Sequence, residues 1–170
     1  ILMADLTKEQ HIENINKVIK GVKYAMMTTI TADEKHLHAC PMTTNKNELE
    51  NGKIWFIGDR KSETIKDLEK NPQVNLSYTS SDQKDFVSIN GTAKLVNDKA
   101  KLDELWSPIY AAFYEKGKED PNVQVICIEC NGAQYWLSGN TVVDMFKMVS
   151  AAVQEGKTAE NMGENHSVTF

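Results

Sequence analysis

The sequence predicts a mainly β protein, a small antiparallel barrel with helices at its periphery. About six β-rich segments follow one another through short polar turns, and strands connected in this way pair antiparallel. Amphipathic segments with helical spacing stand at the start, the middle and the end of the chain. Six antiparallel strands usually close or nearly close into a barrel, because closure removes the exposed edges of the sheet.

The composition fits one domain with its own core. The chain has 170 residues, of which 41% are hydrophobic and 25% are charged, and these values exclude disorder of the whole chain. The net charge of −5 argues against a nucleic-acid binder, which would carry a basic stripe. We expect a single domain over residues 1–155 and a polar, extended tail over 156–170.

We expect no membrane association and a cytoplasmic location. No apolar run reaches the roughly 18 residues that a membrane-spanning helix needs, and the few residues before the first predicted helix are too short for a signal peptide. The three cysteines do not form a disulfide framework, which favours a reducing compartment.

A capping box begins the first helix, which we predict over residues 7–20. Thr7 supplies a hydroxyl at the N-cap and Gln10 an amide three residues later, and apolar residues recur at helical spacing until Gly21. Three β-rich segments follow, and the polar turn at 45–52 predicts that the second and third pair as a hairpin. These predicted strands are 24–32, 36–45 and 53–57.

The middle of the chain predicts a short helix and two strands. Ser62 begins the helix at 63–70, and Asn71-Pro72 ends it. Alternating apolar residues predict strands at 74–78 and 86–96. Within the longer strand, Gly91 is the expected bulge or point of close backbone approach.

The last third predicts a helical region from Asp98, interrupted at Pro108, and then a final hairpin. An apolar strand at 123–129 is expected to pair with 133–137 across Asn131-Gly132, a step that suits tight turns. A last amphipathic helix is predicted over 142–153.

The segment from Gly58 to Thr64 is a candidate phosphate site, because it connects a strand to a helix. A helix N-terminus offers unpaired N–H groups and the positive end of a dipole. Arg60 and Lys61 add positive charge, and Ser62 and Thr64 add hydroxyl donors. The alternative interpretation is that Ser62 only caps a surface helix.

Other chemistry-bearing residues point less clearly to a function. His36, His38 and Cys40 share one strand face, but successive residues on that face lie roughly 7 Å apart, which does not suit a single metal ion. Cys127 and Cys130 face opposite sides of a strand and are interpreted as buried or edge thiols. The tryptophans at 106 and 136 could stack on a flat ligand or simply pack, and no nucleophile–base pair is evident.

Taken together, the order of the motifs resembles the general stress protein 26 family, a group of flavin-binding split barrels related to pyridoxamine 5′-phosphate oxidase. The resemblance spans nearly the whole chain. It is carried by Pro41-Met42-Thr43-Thr44, Ile54-Trp55-Phe56-Ile57, Arg60, Ser62-Glu63, Leu68, Asn71-Pro72, Val74, Leu76-Ser77-Tyr78, Phe86-Val87-Ser88-Ile89, Gly91-Thr92-Ala93, Leu105-Trp106-Ser107-Pro108, Tyr135-Trp136, Phe146-Lys147 and Met162-Gly163-Glu164.

The resemblance implies a six-stranded split barrel and a homodimer that binds FMN in a groove at the subunit interface. The strand with Met42 would lie along the flavin ring, Ile57 and Gly58 would present backbone to it, and the start of the second helix would face the phosphate. The residues implied in cofactor binding are Cys40, Met42, Thr43, Thr44, Ile57, Gly58, Arg60, Lys61, Ser62, Thr64 and Trp136.

The chain departs from the pattern of the family at three places. Cys40 stands where members usually have an arginine, and Thr64 where many have a lysine; each lost cation removes a charge-assisted hydrogen bond worth about 1.5–3 kcal/mol. The Arg-x-His motif that binds pyridoxal phosphate is replaced by residues 142–146, so oxidation of pyridoxamine phosphate is not expected.

The resemblance therefore leaves three functions open, and no catalytic residue can be assigned from the sequence. The first is a flavin-dependent oxidoreductase, in which the flavin performs the electron chemistry. The second is a flavin-binding stress protein without turnover. The third is a barrel dimer that has lost FMN or exchanged it for heme, a deazaflavin or a metal.

Overall fold

The computed structural model of the chain describes residues 6–43, 46–139 and 164–170. They form one antiparallel sheet of seven strands with three α-helices around it, so the predicted fold class is confirmed with one strand more than expected. The strands are β1 (Tyr24–Ile30), β2 (Leu37–Thr43), β3 (Lys53–Asp59), β4 (Gln73–Thr79), β5 (Phe86–Val96), β6 (Val123–Leu137) and β7 (Glu164–Thr169), and the helices are α1 (Lys8–Ile19), α2 (Glu63–Lys70) and α3 (Lys99–Leu105).

The strand order is β2-β1-β4-β5-β6-β3, and β7 pairs with the second half of β6. β6 is 15 residues long, so its first half can pair with β3 while its second half pairs with β7. β2 and β3 stand at the two ends of this order. The two strands meet where the Met42 side chain of β2 reaches Gly58 of β3. A Cβ built at Gly58 would lie 3.7 Å from Cε of Met42.

Helix α1 begins at the predicted capping box and packs against β4 and β5. The Thr7 hydroxyl accepts from the Gln10 N–H at 3.2 Å, and the Gln10 side chain accepts from the Thr7 N–H at 2.8 Å. The helix buries Ile15, Val18 and Ile19. Helix α2 is capped by Ser62, packs against β1 and β5, and buries Ile65 and Leu68.

Two apolar clusters hold these elements together. The larger fills the barrel with residues from every strand between β1 and β6 and from α1 and α2; its fully buried members include Met27, Phe56, Leu76, Ile89, Ile126 and Tyr135. The smaller lies under α3 and the 3-10 helix at Pro108–Ala112 and comprises Ile57, Leu105, Tyr110, Tyr114, Val123 and Val125.

The predicted hairpin between the second and third strands is wrong. β2 pairs with β1 over all seven of its residues, and β3 pairs with β6. A polar connection shows where the chain turns, but it does not select the neighbouring strand. The partner of β3 is set by the apolar face of β6, which is distant in sequence.

The predicted hairpin at Asn131-Gly132 is also wrong, because β6 runs through it without a turn. In the ladder with β5, Gly91 pairs with Cys130 and Asn90 with Gly132, so Asn131 is the extra residue of a bulge. The prediction for Gly91 is confirmed: a Cβ there would lie 2.7 Å from the carbonyl oxygen of Glu129. Asn-Gly bends the strand here instead of reversing it.

The described end of the predicted tail is strand β7, which pairs with β6 from Gly132↔Thr169 to Leu137↔Glu164. Tyr135 of β6 connects β7 to α1, since its ring stacks on that of His166 with centroids 5.2 Å apart and its hydroxyl lies 2.7 Å from Nδ1 of His11. The helix predicted over 142–153 lies outside the described residues.

Candidate functional site

The strand β2 and the helix α2 contact each other through His38 and Asp67, and together with the end of β3 they frame the candidate site. His38 is near the start of β2, and Asp67 is in the second turn of α2. Met42, near the end of β2, lies beside Gly58 of β3. Cys40 lies between His38 and Met42 on the same face of β2. We call this region the β2–α2 seam.

The first turn of α2 leaves two backbone N–H groups without a partner among the described residues. The Ser62 N–H donates to the Asp59 carbonyl at 2.9 Å, and the Ile65 N–H donates to the Ser62 hydroxyl at 3.3 Å. Of the first four N–H groups of the helix, those of Glu63 and Thr64 remain. They suit an anion, together with the positive end of the helix dipole.

Thr64 adds a hydroxyl to this turn. The residue as a whole is 4% exposed, and its hydroxyl forms no hydrogen bond in the described part of the chain. The buried side-chain polar atoms that lack a partner among the described residues are Asn47 Oδ1 and the Tyr78 hydroxyl, so the Thr64 hydroxyl keeps contact with solvent. It can therefore donate to a ligand at the start of the helix.

Arg60 and Lys61 provide the positive charge of the loop before α2. Both side chains are exposed, and neither forms an ion pair with another residue that the structure describes. The loop itself is held in place, because the Arg60 N–H donates to the Asn122 carbonyl at 2.8 Å and the Lys61 N–H to the Asp59 carboxylate at 2.9 Å. The phosphate-site residues predicted from the sequence are thus brought together, and the donor set fits a phosphate.

Ile57 and Gly58 reach the seam only through their backbone. The Ile57 side chain is buried in the smaller cluster under α3. At Gly58 a Cβ would come within 3.0 Å of Cδ1 of Ile126, so the absence of a side chain allows β3 to pass close to the barrel core. Met42 is 8% exposed and packs in that core.

Thr43 and Trp136 occupy different places. The Thr43 carbonyl accepts a hydrogen bond from the Tyr110 hydroxyl at 3.3 Å, while Thr44 lies outside the described residues. Trp136 is 37% exposed on the outer face of β6. In the ladder it pairs with Phe86, and Phe86 pairs with Thr79. β4 pairs with β1, and β1 with β2, so four strand spacings, or roughly 19 Å at about 4.8 Å each, separate Trp136 from the end of β2. Within one chain Trp136 therefore does not contact the seam.

Sequence reasoning missed two groups at the site, Tyr110 and Asp67. Burial raises the pKa of the Tyr110 hydroxyl, which keeps it protonated as the donor to Thr43. Asp67 is 3% exposed and accepts from the Thr29 hydroxyl at 2.8 Å and from the Ala32 N–H at 3.0 Å. The available signal was an acidic residue on the apolar face of α2, next to Leu68.

The structure separates the groups weighed as metal ligands. His38 lies 3.2 Å from the Asp67 carboxylate, and His36 is exposed in the turn before β2. Within residues 6–43, 46–139 and 164–170 no three His, Cys, Asp or Glu side chains are grouped to hold a metal ion. Cys127 and Cys130 are both buried, as predicted.

None of the helices in the described part of the chain is long and apolar enough to cross a membrane.

Known proteins with similar sequences and folds define the family. The chain is 26% identical over 166 residues to the protein bli-3 of Neurospora crassa, covering 93% of this chain and 79% of that protein. The structure of the general stress FMN/FAD binding protein of Xanthomonas citri matches with a TM-score of 0.67 and 31% identity, over 79% of this chain and 93% of the other. The general stress protein 26 of Bacillus anthracis shares the fold, with a TM-score of 0.64, 24% identity and coverage of 74% and 92%.

The family model described as "Pyridoxamine 5′-phosphate oxidase like" matches residues 10–159. This range includes the whole β2–α2 seam and all strands up to β6. The chain therefore belongs to the pyridoxamine 5′-phosphate oxidase-like family.

Proposed function

We propose that this protein binds FMN in the β2–α2 seam and is a flavoprotein of the general stress type, with a redox-related role. The observation that carries the proposal is the first turn of α2. In the described part of the chain, two N–H groups without a partner and the Thr64 hydroxyl lie together there. The side chains of Arg60 and Lys61 are adjacent and form no ion pair with a described residue. This donor set matches a phosphate monoester.

The Xanthomonas citri relative supports a flavin as the ligand, since that protein is named for FMN and FAD binding and shares 31% of its residues with this chain. In the proposed complex, Ser62, Thr64 and the α2 backbone hold the phosphate, while β2 near Met42 and the backbone of Ile57 and Gly58 border the ring. Bound FMN would supply the electron-transfer chemistry. We infer no pyridoxamine phosphate oxidation, because residues 142–146 replace the Arg-x-His motif.

We also propose that the site is completed in a homodimer. Trp136 does not contact the seam of its own chain, and in the proposed dimer a second copy would bring the equivalent side chain to it. Besides Leu37 at the start of β2, the outer face of the sheet carries a group of four exposed apolar side chains on β1, β5 and β6. They are Tyr24, Met26, Phe86 and Trp136, each between 37% and 50% exposed. Such a patch is typical of an interaction surface.

Titration of FMN into the apoprotein, followed by quenching of flavin fluorescence, tests the proposal. We expect wild type to bind FMN more tightly than riboflavin, which has no phosphate. Thr64→Val removes one hydroxyl donor and should weaken FMN binding by about 10-fold, whereas Thr64→Lys restores a cation and should tighten it. Ser81→Ala, in an exposed turn, is the control and should match wild type.

A second readout is protection of Cys40. This thiol is partly exposed between the two contacts that frame the seam, so bound FMN should slow its reaction with a thiol reagent. If the wild-type protein binds neither FMN nor riboflavin, and FMN leaves the labelling rate of Cys40 unchanged, the proposed function is wrong.

A further inference from the structure

The β2–α2 seam contains a buried carboxylate that orients a histidine. Asp67 points from α2 into the protein and is 3% exposed. It receives the Ala32 N–H at 3.0 Å and the Thr29 hydroxyl at 2.8 Å, and Nδ1 of His38 lies 3.2 Å away. These contacts tie α2 to both β1 and β2.

The hydrogen-bond partners assign the proton on the His38 ring. The Ala32 N–H and the Thr29 hydroxyl both donate to Asp67, so its carboxylate is an acceptor for two groups. The tautomer of His38 that carries its hydrogen on Nδ1 donates to the same carboxylate. Nε2 has no partner in the described residues, and the His38 side chain is 38% exposed. This nitrogen is free to donate to a ligand only when the ring is protonated.

The position of His38 is next to the proposed phosphate site. Asp67 follows Thr64 by three residues, so their α-carbons are separated by about 4.5 Å along the helix axis. His38 precedes Cys40 by two residues on the same strand face, about 7 Å away. The titratable groups that face His38 are Asp67 from α2 and Cys40 along β2, and β1 faces it with the Thr29 hydroxyl.

We propose that His38 is a phosphate-binding residue of the seam, with Asp67 as its positioning residue, and that its Nε2–H contacts the phosphate of bound FMN. This inference rests on the proposed function. A protonated imidazole would place positive charge at the end of the seam where Cys40 and Thr64 have none. Asp67 fixes the orientation of the ring through its contact with Nδ1.

The contact predicts a preference for FMN over riboflavin. Riboflavin has the same ring but no phosphate, so a side chain that contacts the phosphate contributes to the binding of FMN alone.

The experiment measures the Kd of FMN and of riboflavin for wild type, His38→Gln and His36→Gln. His36 is an exposed histidine two residues before His38, so its replacement controls for loss of one imidazole. We expect His38→Gln to weaken FMN binding by about 10-fold and to leave riboflavin binding unchanged. His36→Gln should behave as wild type.

Two results would overturn the inference. If His38→Gln weakens FMN and riboflavin equally, the residue acts through the structure of the seam and not through the phosphate. If it changes neither the Kd of FMN nor that of riboflavin, His38 does not contact the ligand, although flavin binding itself stands. If wild type binds no flavin, the proposed function fails, and the assignment of His38 fails with it.

Discussion

Asp67 shows how one side chain can connect three elements. Its carboxylate joins α2 to the Thr29 hydroxyl of β1, to the Ala32 N–H in the turn, and to His38 of β2. Each buried donor that loses its acceptor lowers the free energy of unfolding by about 1–3 kcal/mol. The single residue therefore sets the distance between α2 and the β1–β2 hairpin, on which the β2–α2 seam depends.

We predict that Asp67→Ala lowers the free energy of unfolding by about 3 kcal/mol, because the Ala32 N–H and the Thr29 hydroxyl lose their common acceptor. Urea denaturation followed by circular dichroism measures the change. Glu69→Ala is the matched control, since Glu69 is exposed on the same helix and should change stability by less than about 0.5 kcal/mol. Equal effects of the two variants would contradict the role assigned to Asp67.

The buried thiol of Cys130 makes the fold sensitive to alkaline pH. Burial raises the pKa of Cys130 to about 12, whereas a free thiol titrates near 8.5. The unfolded chain then loses its thiol proton at a lower pH than the folded chain does. This contribution to stability is complete below about pH 8.5 and is lost as the pH rises towards 12.

We predict that between about pH 9 and pH 10 wild type loses up to about 1 kcal/mol more stability than Cys130→Ala. Denaturation midpoints of both proteins across this range measure the difference. The variant is expected to be less stable at pH 7 because of the cavity, so the test compares slopes with pH and not absolute values. Parallel slopes would show that Cys130 ionises equally in both states.

At the scale of elements, the features that could be predicted from the sequence are those that depend on neighbouring residues, such as helix caps and helix breaks. The capping box of α1, the Ser62 cap of α2 and the break at Pro108 all follow from the residues at those positions, and the structure confirms each. Strand partners depend on distant residues. The partner of β3 is β6, and nothing in the connection at 45–52 encodes that choice.

The same distinction applies to the candidate site. The candidate phosphate site could be proposed from the sequence because a strand, a loop with Arg60 and Lys61, and a helix N-terminus are consecutive in the chain. The contact of Asp67 with His38 joins residues 29 positions apart. This contact could be predicted only if the position of α2 relative to β2 were known. An isolated histidine on a strand gave no reason to pair it with that helix.

The bulge between β5 and β6 is an element-scale feature that Gly91 permits. A Cβ at this position would lie 2.7 Å from both the Glu129 carbonyl oxygen and Cγ2 of Ile128. The carbonyl belongs to the opposing strand and can move only if the ladder shifts. A shifted ladder would disturb the pairing of β6 with β5. It would also disturb the pairing of β6 with β3 and β7 along its other edge.

We predict that Gly91→Ala lowers the free energy of unfolding by about 2–3 kcal/mol. Thermal and urea denaturation measure the loss. Gly21→Ala is the matched control, because a Cβ there would meet only the Val18 and Lys17 carbonyl oxygens at 3.6 Å and 3.9 Å, which are ordinary contact distances. A Gly91→Ala protein as stable as the Gly21→Ala protein would show that the bulge adapts without cost.

At the scale of the whole molecule, closure of the barrel and assembly are connected. The sheet has its two ends at β2 and β3, and the seam lies at this gap in the barrel. The second half of β6 carries Trp136 on its outer face, next to Phe86 of β5 and four strands from β2. In the proposed complex, a flavin at the seam would be bordered by its own chain and would not contact the Trp136 of that chain.

A twofold dimer that pairs the outer faces would bring the second half of one β6 towards the seam of its partner. We predict that the protein sediments at twice its chain mass of 19.1 kDa, and that Phe86→Glu shifts it towards the monomer, because it places a charge in the centre of the apolar patch. FMN affinity should fall with the dimer fraction, by about 10-fold or more where the monomer dominates. Analytical ultracentrifugation and flavin titration at the same protein concentrations measure both quantities.

Leu37→Glu provides the matched control for this prediction. Leu37 is 74% exposed, but it lies at the first residue of β2, six residues before Thr43 and away from the cluster around Phe86. The control should leave both mass and affinity unchanged, although it adds the same charge to an equally apolar position. If Phe86→Glu yields a monomer that binds FMN as tightly as wild type, each chain holds the cofactor alone, and Trp136 has no part in the site.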